Sequence, residues 1–138
     1  MMTPEQVTII KSNFAQVIGQ KEAVGLMFYE RLFTIAPEVK PLFRGDLKAQ
    51  SRKLMDTLAL AIGMLRDMPT LMTTLEGLAK RHVAYGVKDE HYAKVGEALL
   101  WTLEKGLGTT FTADAKSAWT ALYGAVSDVM RKAAARPA

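Results

Sequence analysis

Apolar residues recur along this chain at three- and four-residue intervals, and no segment alternates with the two-residue period of a strand. Val7, Ile10, Phe14 and Val17 mark the first helical face. Thr3 is its expected N-cap, with Pro4 at the first helical position, and the helix should end near Gly19. A second helix is expected from Glu22 to Ile35. It is apolar over most of its circumference (Val24, Leu26, Met27, Phe28, Tyr29, Leu32, Phe33), as in a helix buried between neighbours. Ala36-Pro37 ends it, because a residue preceding proline disfavours the helical region. Pro37 can start a short helix to about Phe43, followed by a loop at Arg44-Gly45-Asp46.

The third long helix is expected from Leu47 to Arg66, with a stripe at Leu54, Leu58, Ala61 and Leu65. After a turn at Asp67-Met68-Pro69, a fourth runs from Thr70 to Tyr85 and carries Leu75, Leu78 and His82 on one face. Gly86 stops it. Asp89 should cap a fifth helix to Gly106, with Val95, Leu99, Leu103 and Leu107 inward. A sixth begins after Thr112, with Ala115, Trp119, Leu122, Val126 and Val129 inward, and should fray from Arg131 onward. The pattern predicts a compact all-α domain over residues 1–138, with six longer helices and one short one.

Three polar residues sit within these apolar stripes. His82 places an imidazole on a buried face, where each ring nitrogen needs a partner. A metal held in a cofactor is one such partner; an ordinary hydrogen bond inside the core is the other. Gln50 lies one turn before Leu54 on the same face, so its amide either bonds something inside or reaches water at the helix end. The Tyr29 hydroxyl needs a partner if buried. His91 falls in a first helical turn after Asp89-Glu90, a polar context that argues against a ligand role.

Composition narrows the chemistry. With 49% hydrophobic and 23% charged residues, the 138-residue chain fits a soluble globular class. The absence of cysteine excludes disulfides, thiolate zinc sites, iron–sulfur clusters and thiol catalysis. Two histidines are too few for a multi-histidine metal cage. The net charge of +4 comes from scattered Lys and Arg without an aromatic-interleaved basic stripe, so no nucleic-acid partner is expected. No apolar run approaches the ~18 residues of a membrane span. The Met-Met-Thr-Pro-Glu-Gln start does not read as a signal peptide, and a cytoplasmic location is expected.

Spacing between elements adds a resemblance. Phe43 follows Pro37 by six residues, Gln50 follows Phe43 by seven, Leu54 lies four further on, and His82 sits on a later helix. Trp119 and Tyr123 fit in the last helix. The segments Phe28-Tyr29-Glu30-Arg31-Leu32-Phe33, Gln50-Ser51-Arg52-Lys53-Leu54, Arg81-His82-Val83-Ala84-Tyr85-Gly86-Val87 and His91-Tyr92-Ala93-Lys94-Val95-Gly96 carry it. Over essentially its whole length the chain resembles the globin family, in particular bacterial single-domain haemoglobins and the globin domain of flavohaemoglobins.

The resemblance implies a three-over-three helical sandwich around haem b, iron protoporphyrin IX. It implies His82 as the proximal iron ligand, with its second ring nitrogen fixed by a nearby acceptor. Tyr29 and Gln50 become distal hydrogen-bond donors to dioxygen, and Phe43 packs flat on the haem. Leu54, Leu78, Val87 and Val95 supply apolar walls, and Tyr92 packs beneath the proximal histidine. Lys53 and Arg81 become candidates to pair with propionates, or stay as solvated surface. The implied function is reversible binding of dioxygen and other diatomic ligands, for storage, delivery or scavenging, by a monomer or homodimer. The alternative is a nitric oxide dioxygenase served by a separate reductase. Two departures bear on this choice. Flavohaemoglobins continue into a flavin and nicotinamide reductase, whereas this sequence stops at Ala138, so electrons would come from outside. Where they carry a Glu late in the last helix, linked through the Tyr to the proximal His, this chain has Ala134, which weakens the case for peroxidase-like chemistry.

Overall fold

The computed structural model describes residues 2–43, 45–84 and 86–135. Six α-helices run as α1 (Pro4–Val17), α2 (Lys21–Ile35), α3 (Leu47–Gly63), α4 (Met68–Ala84), α5 (His91–Leu107) and α6 (Ala113–Ala134). Short 3-10 turns occupy Ile18–Gln20, Pro37–Leu42 and Gly108–Thr110. The all-α expectation holds, and no strand occurs among the described residues. Among them, no helix is long and apolar enough to cross a membrane.

Side-chain caps start α1, α3 and α6. Thr3 Oγ1 accepts from the Gln6 amide at 3.1 Å while Gln6 Oε1 accepts from the Thr3 amide at 3.0 Å, a reciprocal capping box that starts α1. Asp46 accepts from the Lys48 amide to start α3, and Thr112 from the Ala115 amide to start α6.

Four boundaries differ from expectation. Helix α4 begins at Met68, so Pro69 lies in its first turn, where a missing N–H costs nothing. Asp67 stabilises that turn by accepting from the Thr70 hydroxyl at 2.7 Å. Helix α3 stops at Gly63, because its last turn tightens to Met64 N–H on the Ala61 carbonyl. Asp89 does not cap α5: its carboxylate takes Arg131 in a two-pronged pair at 2.8 and 2.9 Å. Instead His91, buried in the first turn, accepts the Lys88 amide on Nδ1 at 3.0 Å. Finally, α6 does not fray at Arg131 but continues to Ala134, with Met130 and Ala133 buried and Arg131 tied down by Asp89. Of the positions expected at element ends, Arg44, Tyr85 and 136–138 lie outside the described residues.

Buried side chains form two clusters. The larger joins α1, α2, α3, α5 and α6 through Ile10, Phe28, Leu32, Met55, Leu103 and Trp119. Trp119 is its anchor, 1% exposed, with its indole N–H donated to Asn13 Oδ1 at 3.1 Å. The smaller joins α4 to α6 and the start of α5 through Leu71, Leu75, Ala79, Tyr92, Met130 and Ala133. Leu65 and Val126, both half-buried, pack against the two clusters alike. Helix α2 is pressed between α3 and α5, whereas α4 rests chiefly on α6.

Candidate functional site

On the α4 side, the His82 ring is half-buried and its Nδ1 lies 2.8 Å from the Leu78 carbonyl. A carbonyl only accepts, so Nδ1 carries the proton and the Nε2 position carries the lone pair. Burial lowers the imidazole pKa below its ordinary value; the Leu78 bond opposes this and the Arg81 charge adds to it. Burial and the Arg81 charge favour the neutral imidazole, and the Leu78 bond ties Nδ1 to its own helix.

The chain leaves α4 through a tight exit. Val87 N–H donates to the His82 carbonyl at 3.0 Å, and Gly86 adopts φ 94°, a left-handed conformation suited to glycine. Leu42, in the Pro37–Leu42 turn, lies close against this glycine.

Leu78 and Val87 pack against the smaller cluster, of which Tyr92 is a buried member. Tyr92 is held from above by Tyr123, whose hydroxyl donates to the Tyr92 carbonyl. That reach is possible because Gly96 has no side chain: a Cβ there would meet the Tyr123 ring at 2.7 Å. Burial, then the Asp89 charge, raises the Tyr92 phenol pKa, so it stays protonated.

On the α2–α3 side, Tyr29 is 3% exposed and sits in an aromatic cluster. Its ring meets Phe28 and Phe43 edge-on, each with centroids 5.0 Å apart, and Phe33 lies 6.0 Å away. Gln50 Nε2 donates to Tyr29 Oη at 3.4 Å. Burial raises the Tyr29 pKa and the Gln50 bond only partly opposes it, so the phenol remains an O–H donor. Leu54 and Val95, half-buried, pack against the larger cluster.

Tyr29, Gln50 and Phe43 are therefore brought into one contacting group, with Leu54 and Val95 in the same core. His82, Leu78, Val87 and Tyr92 belong to the α4 side. Lys53 and Arg81 are exposed. Phe33 was read from sequence only as core, yet it completes the aromatic group; its four-residue spacing from Tyr29 was the available signal. His91 is buried and accepts from the Lys88 amide in the turn ahead of α5. Among the described residues, no group of three or more His, Cys, Asp or Glu could hold a metal ion.

Comparison with known families matches this chain to "Globin" over residues 26–130. Flavohemoproteins of Bordetella pertussis, Bordetella parapertussis and Bordetella bronchiseptica are each 32% identical to it over 134 residues, covering 94% of this chain and 33% of theirs. The chain thus spans about a third of the length of the curated relatives it matches.

Proposed function

Since the chain belongs to the globin family, we propose that it is a haem protein that binds dioxygen reversibly. The observation that carries this reading is the pairing of the half-buried Gln50 amide with the buried Tyr29 hydroxyl, in a chain whose α4 carries His82 bonded to its own helix. The residues that fit haem b are a histidine whose Nδ1 is fixed by the Leu78 carbonyl and the apolar side chains of Leu78 and Val87 packed on the same side of the fold. Bound there, haem supplies the iron centre at which a diatomic gas is held.

The chain's own residues do the rest. His82 holds the cofactor through Nε2, and its Nδ1–H bond to Leu78 fixes the ring. Phe43, Leu54 and Val95, packed against the larger cluster, and Leu78 and Val87, packed against the smaller, would exclude water around the cofactor and so keep polar contacts there strong. Tyr92 would support the histidine from α5, and the exposed Lys53 and Arg81 would pair with propionate carboxylates. Gln50 donates to the Tyr29 oxygen, so the Tyr29 O–H proton is left to point at the gas ligand. Dioxygen held in the pocket carries partial negative charge, and a net hydrogen bond to it is worth roughly 0.5–1.5 kcal/mol. Tyr29→Phe should therefore speed dioxygen release about tenfold. Stopped-flow measurement of the off-rate tests this, and an unchanged rate removes Tyr29 from the ligand's surroundings.

A second reading is nitric oxide dioxygenation supported by a separate reductase, favoured by the likeness to flavohemoproteins. Sustained nitric oxide consumption with an added reductase and nicotinamide cofactor would select it; a single turnover would not. The last four residues of α6, Arg131 to Ala134, carry no carboxylate, and on this reading that weighs toward gas binding over peroxide cleavage. The reading also takes the chain as one domain, cytoplasmic, and a monomer or homodimer, which cell fractionation and sedimentation check.

A further inference from the structure

Helices α2 and α3 cross at an unusually short distance. A Cβ built on Gly25 would lie 2.5 Å from Ser51 Cβ and 2.8 Å from both Ser51 Cα and its carbonyl oxygen. Carbon atoms in ordinary contact sit about 3.5–4.0 Å apart. Two of the three atoms are backbone and cannot rotate away, so any side chain at position 25 would push the helices about 1 Å apart. Ser51 is fully enclosed, and its hydroxyl bonds the Leu47 carbonyl at 2.8 Å within α3. Its place at the crossing is therefore one of size.

Both distal donors flank this point. Tyr29 follows Gly25 by four residues, one turn along the same face of α2. Gln50 immediately precedes Ser51 on α3. Their hydrogen bond spans 3.4 Å, already at the long end of the useful range. The Tyr29 ring is wedged against Phe28 and Phe43 and cannot follow α3 outward.

We propose that Gly25 and Ser51 are positioning residues for ligand retention: the missing side chain at position 25 sets the helix separation at which Gln50 can reach and orient the Tyr29 hydroxyl. This rests on the reading of Tyr29 and Gln50 as the ligand-facing donors. It assigns a role in gas binding to two residues that touch no ligand.

The test compares Gly25→Ala, Tyr29→Phe and their combination, with Gly124→Ala as control because a Cβ at Gly124 meets open space. In haem-loaded protein, Gly25→Ala should raise the dioxygen off-rate about fivefold. The double variant should release no faster than Tyr29→Phe alone, and the control should match the native rate. In the haem-free chain, the Gln50 side-chain amide resonances, assigned by their loss in Gln50→Ala, should shift in Gly25→Ala and not in the control. Where Gly25→Ala fails to fold, Ser51→Thr keeps the hydroxyl and adds one methyl to the same enclosed contact, with the same signs expected at smaller size. A native off-rate together with native Gln50 resonances in the folded crossing variant overturns the proposal. If instead Tyr29→Phe leaves release unchanged, the donor reading itself fails, while the amide resonances still decide whether the crossing sets the pair.

Discussion

The two halves of the candidate site are built on opposite principles. On the α2–α3 side, donor geometry depends on other helices: Gln50 of α3 meets Tyr29 of α2, and Phe43 closes the group from beyond the Pro37–Leu42 turn. On the α4 side, the key bond is internal, from His82 to the carbonyl one turn earlier, and the helix rests mainly on α6. The first arrangement relies on tight interhelical packing for precision. The second fixes a ring within one helix and leaves that helix more lightly held. Sub-global opening should therefore begin at α4, since local stability follows buried contacts.

The largest expected effect attacks the larger core. Trp119→Ala should cost about 3–5 kcal/mol and loosen α1, α2 and α5 together, seen as a shifted denaturation midpoint. Leu75→Ala, in the smaller cluster, should cost about 2–3 kcal/mol. In hydrogen exchange its loss should fall on α4 and the last turns of α6 while α2 keeps native protection; uniform loss across both sides would erase the contrast. Third in size is acidification of the haem-free chain. The folded His82 pKa lies below its unfolded value of 6.5, so the unfolded state binds more protons in that window. This contribution to stability is complete above pH 6.5 and is lost as the pH falls below it. Melting temperatures between pH 7.5 and 5.5 should drop more steeply for the native chain than for His82→Gln. The smallest effect is Arg131→Gln, which removes an exposed pair with Asp89; the overall melting temperature should hardly move, with faster amide exchange confined to the end of α6.

The same contrast explains what the sequence could disclose. Helical periodicity located all six long helices because each buries a continuous stripe, and Thr3, Thr112 and Pro37 marked starts through chemistry local to a few residues. The α5 and α6 departures turn on a partner distant in sequence, whereas those at the end of α3 and the start of α4 turn on local turn geometry. Asp89 looked like a cap because the competing Arg131 lies 42 residues away, and the same pair kept α6 helical where fraying was expected. From sequence, His91 reads only as an unsuitable ligand in a polar context, because its acceptor role for Lys88 needs the folded turn. Tyr29 and Gln50 could be singled out as polar residues on apolar faces, but the small-residue crossing beside them could not, since Gly25 and Ser51 carry no periodic signal.

One consequence follows from the His82–Leu78 bond being contained within a single turn of α4. The bond that holds the proton on Nδ1 travels with the helix wherever that helix sits. Insertions or deletions in the turn before Met68, or in the segment after Gly86, would relocate the imidazole without changing its tautomer. The chemical character of the ring and its address in the fold are thus open to variation separately, and only the address is exposed to change in the loops.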